Sequence, residues 1–237
     1  MNACRNTFAL ARIIWATLVW GDLALLAALL GFTGPVIDRV TRRWCRAVAS
    51  AGGMRVAASG LDNVDARQNY VVVANHRSHL DTVALYLTCP VPLRMLAKVV
   101  LFKIPVFGWA MRLTGHIPVE RERAGGQLEK IRPHLERLRA AGRSLCVFPE
   151  GIRQRAGTLG DFKLGAFVIA VESGLPILPV SIEGTRRILP PKRLRFTPGE
   201  ARVRFHPPFS PAGLTPDELR ARVRKILWDD LAAGSGD

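Results

Sequence analysis

From Met54 onward, short apolar runs separated by polar, glycine- and proline-bearing breaks predict strands. They cover Met54 to Ala58, Tyr70 to Ala74, Leu93 to Ala97, His116 to Val119, Ser144 to Phe148, Ile177 to Ile182 and Ala201 to Phe205. Segments with helical spacing lie between several of them: Ser78 to Leu87, Val106 to Thr114, Ala124 to Ala141 and Lys163 to Ser173. Further on, Thr215, Pro216 and Glu218 form a capping box with proline at the first helical position. The apolar face that follows is Leu219, Val223, Ile226 and Leu227. This alternation predicts an α/β fold, a mixed and largely parallel sheet covered by helices. The small, polar tail from Ala232 to Asp237 is expected to fray.

A different pattern precedes the sheet. Ile13 to Phe32 is a nearly continuous apolar run, broken by Asp22 and preceded by Arg5 and Arg12. At about 1.5 Å per residue a helix of this length matches a bilayer core, but a central carboxylate costs roughly 2.5 to 3.5 kcal/mol there. A half-buried or re-entrant anchor therefore competes with a full span. The nearest small-residue cleavage pattern, Ala49 to Ala51, lies beyond a basic segment, which argues against a cleaved signal peptide. In Pro35 to Ala51, helical spacing places Val36, Val40, Trp44 and Val48 on one stripe and crowds Arg39, Arg42, Arg43 and Arg46 into another sector. That suits a helix lying among anionic headgroups; a core-packing helix with solvated arginines is the alternative. The expected organisation is an N-terminal membrane-associating helical hairpin over residues 1–51, followed by an α/β domain over 52–237. Positive charge after the first segment places that side in the cytoplasm, at the inner face of the cell membrane.

Composition sharpens the choice of partner. The 237 residues suffice for one substantial α/β core, and a formal net charge of +15 calls for an anionic partner: nucleic acid, an anionic membrane surface or a phosphorylated substrate. Nucleic acid has charge alone in its favour, without zinc-finger spacing, a helix-turn-helix signature or an RNA-recognition aromatic pattern. Cys4, Cys45, Cys89 and Cys146 are scattered and read as reduced, mostly packed thiols.

Candidate chemistry starts in VVVANHRSHLD, Val71 to Asp81, an apolar strand that runs into a polar cluster. A strand end followed by a helix start can bring His76 and Asp81 together. Asp81 would then fix the histidine tautomer that leaves the other ring nitrogen free as a base. Asp81 could instead satisfy helix-end amides in a capping box with Ser78. His79 reads as structural or solvent-facing. With no Gly-x-Ser-x-Gly elbow, a histidine without a protein nucleophile would deprotonate the substrate itself, which points to direct transfer to a hydroxyl. A second cluster, Phe148 to Arg153 with Arg155 behind it, closes another strand; glycine permits close backbone approach and arginine matches phosphate oxygens. Lys98 closes a third strand and Arg121 follows a fourth. In an α/β sheet, ligand crevices lie outside the carboxyl ends of strands, where His76, Lys98, Arg121 and Glu150 would converge.

At these residues the chain resembles the glycerolipid acyltransferase superfamily, and within it the 1-acyl-sn-glycerol-3-phosphate acyltransferases. The resemblance rests on NHRSHLD at Asn75 to Asp81, KIPVFG through GHIPVER ending at Arg121, FPEGIR at Phe148 to Arg153, FKLG at Phe162 to Gly165 and LPILPV at Leu175 to Val180. It implies acyl transfer from acyl-CoA or acyl-carrier protein to the sn-2 hydroxyl of lysophosphatidate, with no metal or cofactor. On that resemblance His76 is the base and Asp81 its orienting partner. Lys98, Arg121 and Arg153 hold the phosphate, while Glu150 and Gly151 shape the glycerol pocket. Ile152 stands where the family usually has threonine and Glu120 where it often has aspartate. Arg77 with His79 matches the HRSH form of glycerol-3-phosphate acyltransferases. Glycerol 3-phosphate, a lyso-ornithine lipid or another lysolipid are thus alternative acceptors, and a hydrolase passing the acyl group to water is a further alternative.

Overall fold

The computed structural model describes residues 2–32, 34–120, 127–153 and 159–234. Two antiparallel helices open the chain, α1 (Asn2–Leu29) and α2 (Pro35–Gly52). The order then runs β1 (Met54–Ser59), β2 (Val71–Ala74), α3 (Leu80–Thr88), β3 (Leu93–Lys98), α4 (Phe107–Leu113) and β4 (Ile117–Val119). It continues with α5 (Gln127–Ala140), β5 (Ser144–Val147), α6 (Gly165–Ser173), β6 (Ile177–Glu183), α7 (Thr185–Ile188), β7 (Gly199–Phe205) and α8 (Pro216–Ala233).

The strands form one sheet in the order β1-β7-β6-β2-β5-β3-β4. All neighbours are parallel except β6 and β7, which run antiparallel with Val180 opposite Phe205. The expected mixed, largely parallel sheet is therefore present. Central β2 is buried at all four positions, and its period of two divides it between the faces. Val72 and Ala74 enter the core shared with Cys45, Val48, Leu85 and Val203; Val71 and Val73 enter the one shared with Phe167, Leu219, Val223 and Leu227. The capping box of α8 forms as expected, with Thr215 accepting from the Glu218 amide and Glu218 accepting from the Thr215 amide.

Several expectations shift. Helix α1 begins at Asn2, well before the apolar run, and lies along α2: Trp44 donates to Thr17 at 3.1 Å and Arg12 to Ser50 at 3.3 Å. Its N-terminal turns are tied to a distant loop, where Asn6 donates to the Leu194 carbonyl and accepts from the Phe196 amide. The buried residues of α2 are Ile37, Cys45, Val48, Ala49 and Gly52; of the stripe drawn by the spacing only Val48 is among them, while Val36, Val40 and Trp44 are half-buried. A strict four-residue repeat overshoots the 3.6-residue turn and drifts off the packed face. Of its arginines, Arg39, Arg43 and Arg46 are exposed, whereas Arg42 turns inward and donates to the Cys89 carbonyl at 2.8 Å. Helix α3 begins at Leu80, not at Ser78, whose hydroxyl donates to the Leu189 carbonyl at 2.8 Å. The single-turn α7, too short to show a period, was not expected.

Candidate active site

The site is built at the carboxyl end of β2. Asn75 is fully buried and pairs with Ile182 like an extra ladder rung, its side chain donating to the Ile182 carbonyl and accepting from the Ile182 amide, both at 2.8 Å. This fixes the chain as it leaves the sheet. His76 follows, its ring stacked on Phe148 with centroids 4.1 Å apart and an interplanar angle of 16°.

Asp81 is fully buried; it faces His76, and in place of a capping box on the helix end it accepts from main-chain amides of the loop just ahead of the α3 N-cap, His79. Its Oδ2 lies 2.8 Å from His76 Nδ1 and accepts from the main-chain amides of Arg77 and Ser78, each at 2.7 Å. Its Oδ1 accepts from the Thr185 hydroxyl. A carboxylate surrounded by so many donors acts as the acceptor toward the imidazole, so Nδ1 carries the proton and Nε2 keeps its lone pair. Thr185 was not foreseen: it sits 104 residues away in the chain, with nothing local to mark it. Gly184 before it has φ 79°, and a Cβ there would lie 2.0 Å from the Glu200 carbonyl oxygen. Gly184→Ala is expected to lower stability by about 1 to 3 kcal/mol and to loosen the Thr185 contact, read by chemical denaturation alongside turnover.

Glu150, expected against the substrate, has both oxygens engaged by main chain. Oε1 accepts from the His76 amide at 2.7 Å and Oε2 from the Gly160 amide at 3.0 Å, and the side chain is buried. It positions the histidine loop and ties the segment after FPEG to it. Burial raises the Glu150 pKa, partly offset by the amides of His76 and Gly160. A raised acid pKa favours proton uptake in the folded state, so this group's stabilising contribution is held at low pH and lost as pH rises through the folded value. The stability advantage of wild type over Glu150→Gln is therefore expected to shrink as pH rises above the ordinary carboxyl range, as measured by denaturant titration.

Gly151 has φ 72°, and a Cβ there would sit 3.2 Å from Lys163 Cε. The Lys163 amide donates to the Pro149 carbonyl at 2.9 Å. Lys163 thus belongs to this loop cluster, a role that only the FKLG block hinted at. Arg153, two residues after Gly151, is half-buried, with Nη1 lacking a hydrogen-bond partner among the described residues. Burial lowers its pKa and the charge of Asp81 opposes that shift. His79 is exposed by surface area, as expected of a solvent-facing histidine, yet partial desolvation of its ring and the nearby charge of Arg153 lower its pKa to about 4. Lys98 is exposed at the carboxyl end of β3, and Arg121 lies outside the described residues. His76, Glu150 and Lys98 therefore all sit at carboxyl ends of strands in one parallel block, and Arg153 follows Glu150.

Such a cluster offers an oriented imidazole base, a buried carboxylate behind it and cations alongside. A model of the Acyltransferase family matches residues 55–183. A chloroplastic 1-acyl-sn-glycerol-3-phosphate acyltransferase of Brassica napus is 33% identical over 231 residues, covering 91% of this chain and 67% of that protein. The alpha form of 1-acyl-sn-glycerol-3-phosphate acyltransferase of Mus musculus is 36% identical over 194 residues, covering 77% of this chain and 68% of its own. The crystal structure of the 1-acyl-sn-glycerophosphate (LPA) acyltransferase PlsC of Thermotoga maritima matches with a TM-score of 0.83 at 27% identity, covering 100% of this chain and 99% of that one. With its matched segment spanning the strands that carry His76, Lys98 and Glu150, the chain belongs to the acyltransferase family.

Proposed function

We propose that this chain acylates the sn-2 hydroxyl of 1-acyl-sn-glycerol 3-phosphate, forming phosphatidate, with acyl-CoA or acyl-carrier protein as donor. The observation that carries the reading is the His76–Asp81 pair, with Nε2 left as the base. His76 Nε2 takes the hydroxyl proton, the oxygen attacks the thioester carbonyl, the tetrahedral adduct collapses with loss of the thiolate, and the imidazolium returns the proton to sulfur. Asp81 holds the tautomer and stabilises the imidazolium. Lys98, Arg121 and Arg153 supply the phosphate contacts, and Gly151 lets the backbone approach the glycerol. Glu150 acts through the His76 main chain. The scheme uses no metal and no cofactor beyond the acyl donor. The relatives' names support lysophosphatidate over glycerol 3-phosphate or a lyso-ornithine lipid. An assay of the purified chain with labelled palmitoyl thioester against these acceptors tests the choice: faster acylation of glycerol 3-phosphate would reject it, and fatty acid release without acceptor would indicate a hydrolase.

The hairpin over residues 1–51 is the membrane face of the 52–237 domain in this reading. Helix α1 is long and apolar enough to cross a membrane by length and composition. Because it is tied lengthwise to α2 and to the Leu194–Phe196 loop, it lies in the interface, with Ile14, Trp15, Leu18 and Leu26 exposed toward lipid. Trp109 and Leu113 of α4 extend the same apolar surface. Exposed Arg39, Arg43 and Arg46 meet anionic headgroups on the cytoplasmic side of the inner membrane. Replacing Trp15 and Leu18 together by Asp is expected to weaken vesicle binding by at least roughly tenfold with the fold intact, as measured by sedimentation.

A further inference from the structure

A second cationic feature lies at the other end of the sheet, outside the acyl-transfer machinery. Arg94 opens β3, four residues before Lys98, so along a strand the two are separated by roughly 13 Å. Arg94 is 1% exposed. Its Nη1 donates to Asp38 Oδ1 at 2.7 Å and to its neighbour's carbonyl at 2.6 Å, but Nε and Nη2 have no hydrogen-bond partner among the described residues. A buried guanidinium with two unmade donors is costly and asks for an acceptor. Asp38 answers only one side of it.

The unmet donors face a concentration of like charge. Gly115 has φ 89°, and a Cβ built there would lie 3.7 Å from Arg94 Nε and 3.5 Å from Arg143 Nη1. The left-handed φ is what favours glycine at this position, and the two guanidiniums flank it. Arg143 Nε is likewise buried without a partner among the described residues. Burial lowers the Arg143 pKa, and the positive charge of Arg94 lowers it further against the opposing pull of Asp38. On the Arg143 side of Gly115 opens a cavity of about 510 Å³ that Arg112, Arg137 and Arg143 line together with His116 and His134; Arg94 does not line it and acts on it only as a neighbouring charge, and no acidic side chain among the described residues lines it. His116 Nδ1 accepts from the Met95 amide at 2.9 Å, so its Nε2 carries the proton as one more donor. Its pKa is lowered to about 3 by burial and by the two arginines, which keeps the ring neutral near pH 7.

We infer that this cavity is a second anion site, which takes the phosphate of an anionic membrane lipid headgroup and is separate from the site of acyl transfer. The arginine donors match phosphate oxygens, and the surroundings favour a lipid as their source. Arg143 Nη2 lies 3.9 Å from a Cβ built on Gly34, in the turn that joins α1 to α2. Immediately before that turn Leu29, Leu30 and Phe32 are exposed, and Leu113 is exposed two residues before Gly115. Apolar surface for acyl chains thus adjoins a pocket of donors for a headgroup.

The test uses the full chain in nonionic maltoside micelles, with dihexanoyl phosphatidylglycerol, dihexanoyl phosphatidylcholine and inorganic phosphate as separate probes of Tm and of tryptophan fluorescence. Phosphatidylglycerol is expected to raise Tm saturably, while phosphatidylcholine does not. Arg143→Gln and Arg137→Gln are each expected to weaken the apparent affinity by about fivefold. Arg137 is exposed on α5, so its replacement keeps the test valid should Arg143→Gln fail to fold. His76→Ala and Lys98→Ala should keep the full response, which separates this site from the reaction site. An unchanged response in Arg137→Gln, or none in wild type, would overturn the site. Inorganic phosphate matching the lipid at equal concentration would overturn its assignment to a lipid.

Discussion

His76→Ala is expected to lower kcat by about 10²- to 10⁴-fold with little change in KM and no loss of vesicle binding. The ring is half-buried, and its loop is held independently by Asn75 on Ile182 and by Glu150 on the His76 amide, so the variant retains the surrounding frame. On the proposed mechanism, what disappears is the proton acceptor for the attacking hydroxyl. Release of free thiol from palmitoyl-CoA in the presence of lysophosphatidate measures the loss directly. Turnover within about threefold of wild type would reject His76 as the base.

Asp81→Asn is expected to combine a large catalytic loss with a measurable loss of stability. Oδ2 accepts from the Arg77 and Ser78 amides as well as facing His76 Nδ1. If the Asn oxygen serves the two amides, the ring loses the negative charge that stabilises its protonated form. If the amide group takes that place, two main-chain donors lose their partner and the ring is pushed toward the wrong tautomer. The expected outcome is a fall in kcat of about 10²-fold or more, with unfolding free energy lower by about 1.5 to 3 kcal/mol. The double variant His76→Ala/Asp81→Asn should be hardly less active than His76→Ala, because the carboxylate acts on the reaction through the ring. Additive losses would give Asp81 a separate role in the chemistry.

The strands were legible because each is a short apolar run ended by a polar or glycine-bearing break, and the parallel character followed from the helices between them. The edge pairing was not: β1 lies beside β7, and no local pattern reports which strand will be its neighbour. The site divides in the same way. His76 and Asp81 are five positions apart at a strand-to-helix junction, so their meeting could be argued from chain geometry. Thr185, Phe148 and Lys163 reach the site only through the topology of the sheet. Glu150 looked like a substrate contact because an acidic residue in a glycine turn gives no sign of whether its oxygens face a ligand or main-chain amides. On α2, the arginines suggested a uniform headgroup face, and only packing against α3 shows why Arg42 departs from it.

The pairing of the first strand with the last also bears on how the chain acquires its structure. Strand β1 cannot complete its parallel ladder until Gly199 to Arg204 have been synthesised, and the first turns of α1 wait for Leu194 and Phe196 in the same way. Contacts of such sequence separation form late and leave apolar surface uncovered in the meantime. The outer face of α1 can reach a bilayer as soon as it emerges from the ribosome, well before its inner face has a sheet to pack on. On this account lipid shelters the nascent chain, so refolding from denaturant should be faster and lose less material to aggregation with vesicles present than in plain buffer.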